Sequence, residues 1–379
     1  MPKSNPIETA FVVLSDLHFG NDLYEGAGTP PLNVPVSIYG FDKKVARFFE
    51  SRCRGHFPPC VKKLSQYLGT LLWRLKRDGY QRDNFDLFIL LGDQSTLTDE
   101  RSYKFLREYL SQDEYETTDA DGGGHSCLGL GIKPEMLLAI PGNHDKLLRS
   151  TLNLYRDEFS RKLELREEVR EQRCSIAVRQ FAGREFIFVI IDPSTYCIED
   201  LKLDASSRDH LAAGNVSPEL LEDVQIKLAA MRDSNKLDAD VKLETSFAEA
   251  MKVLLVHYAV DDARFGLGLE ELVLPHACEG LKALVDMLIS EFQLGLILHG
   301  HLHSPLMYNY NGAQVISATT ATRVDKGRKT GFYMIKVSQS GTVQAEHHLW
   351  TGIDYTLDPD RSLSGSLGRF PGERGGKAA

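Results

Sequence analysis

Leu294-Gly295-Leu296-Ile297-Leu298-His299-Gly300-His301-Leu302-His303 runs an apolar stretch straight into a glycine and closely spaced histidines. The apolar part suits a strand covered on both faces. The polar part falls where such a strand leaves its sheet. The same arrangement occurs four more times, in Phe11–His18, Phe85–Asp93, Glu135–Asp145 and Lys252–Tyr258. Strand ends in an α/β sheet converge on one crevice, so side chains far apart in the chain can meet there. The polar ends supply Asp16 and His18, Asp93, then Asn143, His144 and Asp145, then His257, and finally His301 and His303.

Between these runs the pattern alternates. A strand is expected at 9–15, followed by a long excursion to residue 60 with a short helix within 41–51. Residues 61–78 place Val61, Leu64, Leu68, Leu71, Leu72 and Leu75 on one helical face. Strands follow at 86–91 and 136–140, separated by a helix at 99–112 and by the Asp/Gly-rich stretch 113–131, which reads as a loop. A charged helix over 146–170 and a hairpin pairing 174–181 with 185–191 come next. Ser217-Pro218-Glu219 opens a helix over 217–232. The β-α-β rhythm returns with a strand at 252–257, a helix at 279–292 and a strand at 294–299. Segments 305–310, 313–318, 331–337 and 342–349 read as an antiparallel meander turning at Asn311-Gly312 and Ser340-Gly341. The Gly/Ser/Arg/Lys-rich stretch 358–379 is expected to be disordered.

The 379 residues are 42% hydrophobic and 26% charged, which places the chain among globular proteins. A net charge of −9 speaks against a generally basic nucleic-acid-binding surface. The six cysteines form no CxxC pair, which leaves no thiolate metal motif and fits a reducing compartment. The first apolar run leads directly to Asp16 without a cleavable signal, and no run approaches the ~20 apolar residues of a membrane span. The expected location is cytoplasmic.

Carboxylate, imidazole and amide ligands suit divalent ions such as Mn²⁺, Fe²⁺ or Zn²⁺. The set resembles the calcineurin-like metallophosphoesterases, whose pattern runs D-x-H, GD, GNH[DE], H and GHxH; every element is present in order, and the resemblance covers residues 9 to 340. It implies a four-layer α/β/β/α sandwich of two mixed sheets flanked by helices. The domain would span 9–350, with insertions 19–60 and 113–131 on its rim. It also implies two divalent metal ions as cofactors. One would be held by Asp16, His18, Asp93 and His303, the other by Asp93, Asn143, His257 and His301, with Asp93 as the bridge. Seven ligands are too many for one tetrahedral zinc but suit two ions ~3.5–4 Å apart, which can clamp the attacking and leaving oxygens of a displacement at phosphorus. In this pattern His144 binds no metal and assists the leaving oxygen, while Asp145 orients a histidine or fixes the turn.

The sequence departs from the pattern in two places. Gly92-Asp93-Gln94-Ser95-Thr96-Leu97 lacks the arginine of GDxVDRG that grips phosphate in the protein phosphatases of the superfamily. Val256-His257-Tyr258-Ala259 keeps one histidine of the HHxP found in many small-molecule members. Gly214–Leu220, Cys278–Leu281 and Gly312–Ala318 resemble, more loosely, the cyclic-nucleotide-phosphodiesterase-like branch. A small phosphodiester is therefore the expected substrate. A nuclease resembling the double-strand-break repair exonucleases, with nucleic acid as partner, is one alternative; a scaffold that kept the fold without catalysis is another. Arg323–Lys329 carries four cations and reads either as a phosphate contact or as a solvated hairpin tip. His299, inside a strand, reads as structural, and His125, His210, His276, His347 and His348 lack a motif context.

Overall fold

Unbroken apolar runs form the central strands, and the amphipathic segments between them form the outer helices. A computed structural model describes residues 6–19, 58–95, 100–118, 124–146, 153–165, 173–194, 214–238, 241–260, 278–324 and 329–369. The expected excursion through 20–57, with its short helix, lies outside the described residues.

The first sheet contains β1 (Ile7–Leu14), β2 (Leu87–Leu91), β5 (Leu137–Ile140), β14 (Gly331–Ser338), β15 (Thr342–Trp350) and β16 (Tyr355–Arg369), in the order β16-β15-β14-β1-β2-β5. The second contains β6 (Cys174–Phe181), β7 (Arg184–Ile191), β9 (Met251–Val256), β11 (Leu296–His299), β12 (Leu306–Tyr310) and β13 (Ala313–Ser317), in the order β12-β13-β11-β9-β7-β6. β1, β2 and β5 are mutually parallel, as are β7, β9, β11 and β13.

Side chains alternate between the faces of each strand. Phe11 and Val13 of β1 therefore meet Phe188 and Leu255 of the second sheet in a central apolar layer. Val12 and Leu14 point outward onto α1 (Pro58–Arg77) and α2 (Glu100–Ser111). On the far side, Leu254 and Val256 pack under α3 (Pro218–Ser234) and α4 (Leu281–Phe292). The result is the expected α/β/β/α sandwich. Ser217 caps α3 by accepting a hydrogen bond from the Leu220 N–H at 3.3 Å, with Pro218 in the first turn. Among the described residues no helix is long and apolar enough to cross a membrane.

Four expectations are corrected. The 113–131 stretch contains a hairpin of β3 (Glu114–Thr118) and β4 (Gly124–Leu128), anchored by Tyr115 against Tyr109. α2 carries the chain back along the sheet, and Leu130 and Ile132 line a cavity with Asn84, Phe85 and Met136, which precede β2 and β5. The charged helix over 146–170 reduces, within the described residues, to a 3-10 turn at His144–Lys146 and a π-turn at Tyr155–Ser160, which sets both Tyr155 and Phe159 against Tyr103. The meander divides between sheets: β12 and β13 pair in the second, while β14 crosses to lie antiparallel to β1 in the first. Finally, β16 extends to Arg369 along the otherwise open edge of β15, where composition alone suggested disorder.

Two short strands complete the topology. β8 (Gly214–Asn215) and β10 (Cys278–Glu279) pair in parallel, so the two loosely similar segments of the sequence are neighbours. The Asn215 N–H also donates to Pro193 O at 2.8 Å, which joins the two sides of segment 195–213 at its base.

Lys252 of β9 is only 2% exposed, with its ammonium 4.4 Å from the centre of the Phe247 ring. Among the described residues no hydrogen-bond acceptor meets it. Burial lowers its pKa from 10.5 to about 8. Below about pH 8 the folded protein therefore carries a poorly solvated cation. Between about pH 8 and 10.5 the unfolded chain binds more protons than the folded one, so this group makes stability rise with pH in that window. Lys252→Met should stabilise the fold at pH 7 by ~1–3 kcal/mol, the scale for a polar group buried without compensation. Its advantage in thermal melts should shrink between pH 8 and 10.5. A Met variant no more stable than the parent at pH 7 would mean that the Phe247 ring already compensates the charge.

Candidate metal centre

Because β1, β2 and β5 run in parallel, their carboxyl ends leave the first sheet on one side; β9 and β11 leave the second sheet on the same side. Hydrogen bonding continues past the strand ends. The Asp16 N–H donates to Gly92 O at 3.1 Å, His18 N–H to Asp93 O at 2.9 Å, and Gly300 N–H to His257 O at 3.1 Å. Two bonds then join the sheets: His257 Nδ1 lies 2.6 Å from Leu91 O, and the His301 N–H donates to Asp16 Oδ2 at 3.1 Å.

Five of the predicted site residues occupy left-handed backbone: Asp16, His18, Asp93, His301 and His303, with φ between 49° and 67°. Non-glycine residues seldom adopt this conformation, and it clusters at functional sites. Here it turns both ends of Asp16-Leu17-His18, and both ends of His301-Leu302-His303, into one crevice. The glycines of the motifs answer to close approach. A Cβ on Gly300 would lie 1.9 Å from Ser15 Oγ and 2.6 Å from Asp16 Oδ2, and one on Gly142 would lie 2.1 Å from Asp93 Oδ1.

All seven predicted ligands come together and all are buried. Asp16, His18, Asp93 and His303 form one group with ligand atoms within 4.8 Å of one another; Asp93, His257 and His301 form a second. Asp93 belongs to both. Asn143 joins the second group through Oδ1, 3.2 Å from His257 Nε2.

The chemistry of this set fits a bound cation. A carbonyl oxygen accepts only, so the His257 Nδ1 facing Leu91 O carries the proton of the neutral ring. His257 Nε2 is then a lone pair. It faces Asn143 Oδ1, His301 Nδ1 at 3.1 Å and Asp93 Oδ2 at 3.4 Å. In the other group His18 Nε2 and His303 Nε2 lie 3.4 Å apart, with Asp16 Oδ1 at 2.9 Å from the latter. Electron pairs gathered this way, away from water, call for positive charge among them.

The electrostatics agree. Burial, followed by the positive fields of Arg323 and His144, holds the His18 imidazole well below its usual pKa, so it presents a neutral ring. Burial pushes the Asp93 carboxyl upward, but the surrounding His257, His144 and His18 hold it well below the usual carboxylate range. Asp16 is likewise lowered against its burial, chiefly by His303. Burial opposes a charge on His257, yet Asp93 and Asp16 draw its pKa up to about 9. Positive charge is thus favoured among these groups even without an ion.

His144 stands outside both groups. It is half-buried, its N–H donates to Asp93 Oδ1 at 2.8 Å, and its ring meets that of His18 edge to face at 5.0 Å. Asp145 is the brace of the turn. Its carboxylate accepts from the N–H groups of Gln94, Ser95 and Gly142 and from the Tyr103 hydroxyl, at 2.9–3.1 Å. Gln94 donates its amide to Ile140 O and so turns into the fold, away from any phosphate-gripping role.

His299 is fully buried on Gly300 O, with its pKa lowered to about 4 by burial. His347 and His348 are buried on β15 beside Asp358 and Tyr67, well away from the motif set in sequence and topology. His210 and His276, and the side chain of His125, lie outside the described residues.

Some contributors carry no sequence signal of their own. Ser15 Oγ donates to Asp16 Oδ2 at 2.5 Å and, with the His301 N–H, occupies that oxygen, so that Oδ1 faces the histidines. Tyr258, in the place of the second histidine of HHxP, lays its ring 4.8 Å from that of His301. Lys146 pairs with the buried Asp192 at the end of β7. Arg323 is buried, not at a solvated tip, and Lys329 bonds to Asp358 at 3.2 Å.

No curated protein matches the chain by sequence. Among solved structures it is similar to a dimetal phosphatase from Danio rerio, at 11% identity and a TM-score of 0.42, covering 93% of this chain and 98% of that one. It is also similar to the phosphopantetheinyl hydrolase of Mycobacterium tuberculosis, at 12% identity and a TM-score of 0.39, covering 83% and 90%. A third is a putative 5'-nucleotidase from Staphylococcus aureus, at 13% identity and a TM-score of 0.42, covering 93% and 56%. The model of the calcineurin-like phosphoesterase family matches residues 9–305, a span that holds all five motifs. The chain belongs to the calcineurin-like phosphoesterases, metal-dependent hydrolases of phosphoric esters.

Proposed function

We propose that this protein hydrolyses a small phosphodiester of nucleotide type with two divalent ions held in the crevice, in a domain spanning 9–350. The observation that carries the reading is the convergence of His257 Nε2, Asn143 Oδ1, His301 Nδ1 and Asp93 Oδ2 within one buried space. Asp16, His18, Asp93 and His303 would hold one ion; Asp93, Asn143, His257 and His301 would hold the other. Mn²⁺, Fe²⁺ and Zn²⁺ all suit such ligands. When bound, the ions would polarise the phosphoryl group and supply a nucleophile from water at neutral pH.

The protein's own residues complete the chemistry. Asp93 belongs to both groups, with Oδ2 facing His257 and Oδ1 held by the His144 N–H. Ser15 and the His301 N–H fix the orientation of Asp16. Asp145 braces Gln94, Ser95 and Gly142 and so sets the distance between the second and third motifs. His144, half-exposed at the edge of the set, donates a proton to the departing oxygen. A diester substrate is favoured by Gly214–Leu220 and Cys278–Leu281, whose pairing at β8 and β10 abuts the Tyr258 wall through Gly214.

Protein reconstituted with Mn²⁺ should hydrolyse bis-(p-nitrophenyl) phosphate faster than p-nitrophenyl phosphate. Degradation of single- or double-stranded DNA in the same panel would favour the nuclease. Inactivity toward every ester would favour a scaffold.

Elemental analysis should find up to two transition-metal ions per chain. Asp93→Ala should lower both. His303→Ala should empty mainly one position and His301→Ala the other. A chain that takes up no metal from Mn²⁺ or Fe²⁺ would remove the basis of the reading.

His144→Ala should retain metals and fold but slow turnover by ~10²–10⁴-fold, the range of a positioned general acid. The loss should be greatest for an alkyl or ribose leaving group and least for p-nitrophenolate, which needs little protonation. Equal slowing on both would mean that His144 acts on the phosphoryl charge instead, and loss of metal would make it a ligand or a support.

A further inference from the structure

The chain beyond β13 runs directly along the first motif. The Ala321 N–H donates to Ser15 O at 2.9 Å, the Thr322 hydroxyl donates to Leu17 O at 2.5 Å, and Thr320 bridges to Ser15 in parallel. Arg323 follows at once. Its carbonyl accepts from the hydroxyls of Thr320 and Thr330, at 2.5 and 2.6 Å, and its N–H donates to Thr320 Oγ1 at 3.2 Å. Both backbone groups are thus fastened, and the direction in which the side chain leaves is set by threonines on two sides.

For a long cationic side chain its burial is unusual: Arg323 is 9% exposed, whereas the next residue, Val324, is 38% exposed. Arginine normally keeps its head in water and buries only its stem. Here the side chain is buried one residue beyond the bond from the Thr322 hydroxyl to Leu17 O, which lies between Asp16 and His18. Lys329, the other described cation of the 323–329 stretch, is taken up by Asp358. Among the described residues, Arg323 is therefore the buried cation of this stretch, next to the first motif, whose Asp16 and His18 group with Asp93 and His303.

We propose that Arg323 is a substrate-binding residue whose guanidinium grips a non-bridging oxygen of the phosphoryl group seated beside His18. The planar fork of arginine matches the spacing of phosphoryl oxygens, and enclosure from water strengthens the charge-assisted bonds. Gln94 is unavailable for the task because its amide is spent on Ile140 O. The first motif and the phosphate grip are then joined through backbone, since Thr320, Ala321 and Thr322 are bonded to Ser15 and Leu17. The inference rests on the phosphohydrolase reading and names one contact that its substrate makes.

The test is calorimetric titration of Mn²⁺-loaded protein with inorganic phosphate, comparing wild type with Arg323→Met. Phosphate should bind the variant ~10–100-fold more weakly, the factor for a hydrogen bond to a charged group. Metal content and melting temperature should stay unchanged, and KM for bis-(p-nitrophenyl) phosphate should rise. Should the Met variant fail to fold, Arg323→Lys makes the same comparison, with a loss of ~3–10-fold expected when a point charge replaces the fork. Phosphate affinity within about threefold of wild type in a metal-loaded Met variant overturns the proposal, as does wild-type protein that binds no phosphate. Loss of metal in a folded variant overturns it too, because Arg323 would then support the His18 turn. Wild-type protein that binds phosphate yet cleaves no ester would defeat the hydrolase reading and leave the calorimetry to decide on Arg323.

Discussion

The site depends on holding electron-rich atoms against one another where water cannot separate them. Asp16, Asp93, Asn143 and the imidazoles of His18, His257, His301 and His303 all converge on one small buried space. Charge buried without compensation costs several kcal/mol per ion. Flexible loops would relax away from such an arrangement. Here the supports are rigid: parallel strands on both sides, hydrogen bonds that continue beyond the strand ends, and a sheet-to-sheet bond from His257 to Leu91 O. The left-handed turns at Asp16, His18, Asp93, His301 and His303 carry the remaining strain, each at about 1–3 kcal/mol.

Those supports explain what was legible in the sequence. A buried parallel strand is a continuous apolar run, and a polar residue just after it has only the sheet's edge to occupy. The five motifs therefore announced both their strands and their meeting place. The glycines were legible for a related reason, since Gly142 and Gly300 are needed where a neighbouring carboxylate leaves no room for a Cβ.

The rest depended on neighbours far away in the chain. Nothing local distinguishes β12–β13, which stay in the second sheet, from β14–β15, which cross to the first; the alternation is the same in both. Tyr115 looks like any loop aromatic until Tyr109 is beneath it. Arg323 is one of four cations in its stretch and gives no sign that it is buried, because the cause is the pairing of Thr320–Thr322 with Ser15 and Leu17. Ser15 and Tyr258 are ordinary residues until Asp16 and His301 are placed beside them.

The pairing of β8 with β10 has an evolutionary consequence. Segments 195–213 and 261–277 both depart near the site, and both return at this two-stranded clasp. Gly214 is bridged to Ser194, which ties the root of segment 195–213, and pairs with Cys278, which fixes the returning end of segment 261–277. Lengthening or exchanging either one would then be absorbed above the clasp, because loop-closure entropy grows only slowly with length. Such an architecture lets descendants acquire new specificities by insertion while His257 and its partners keep their registration.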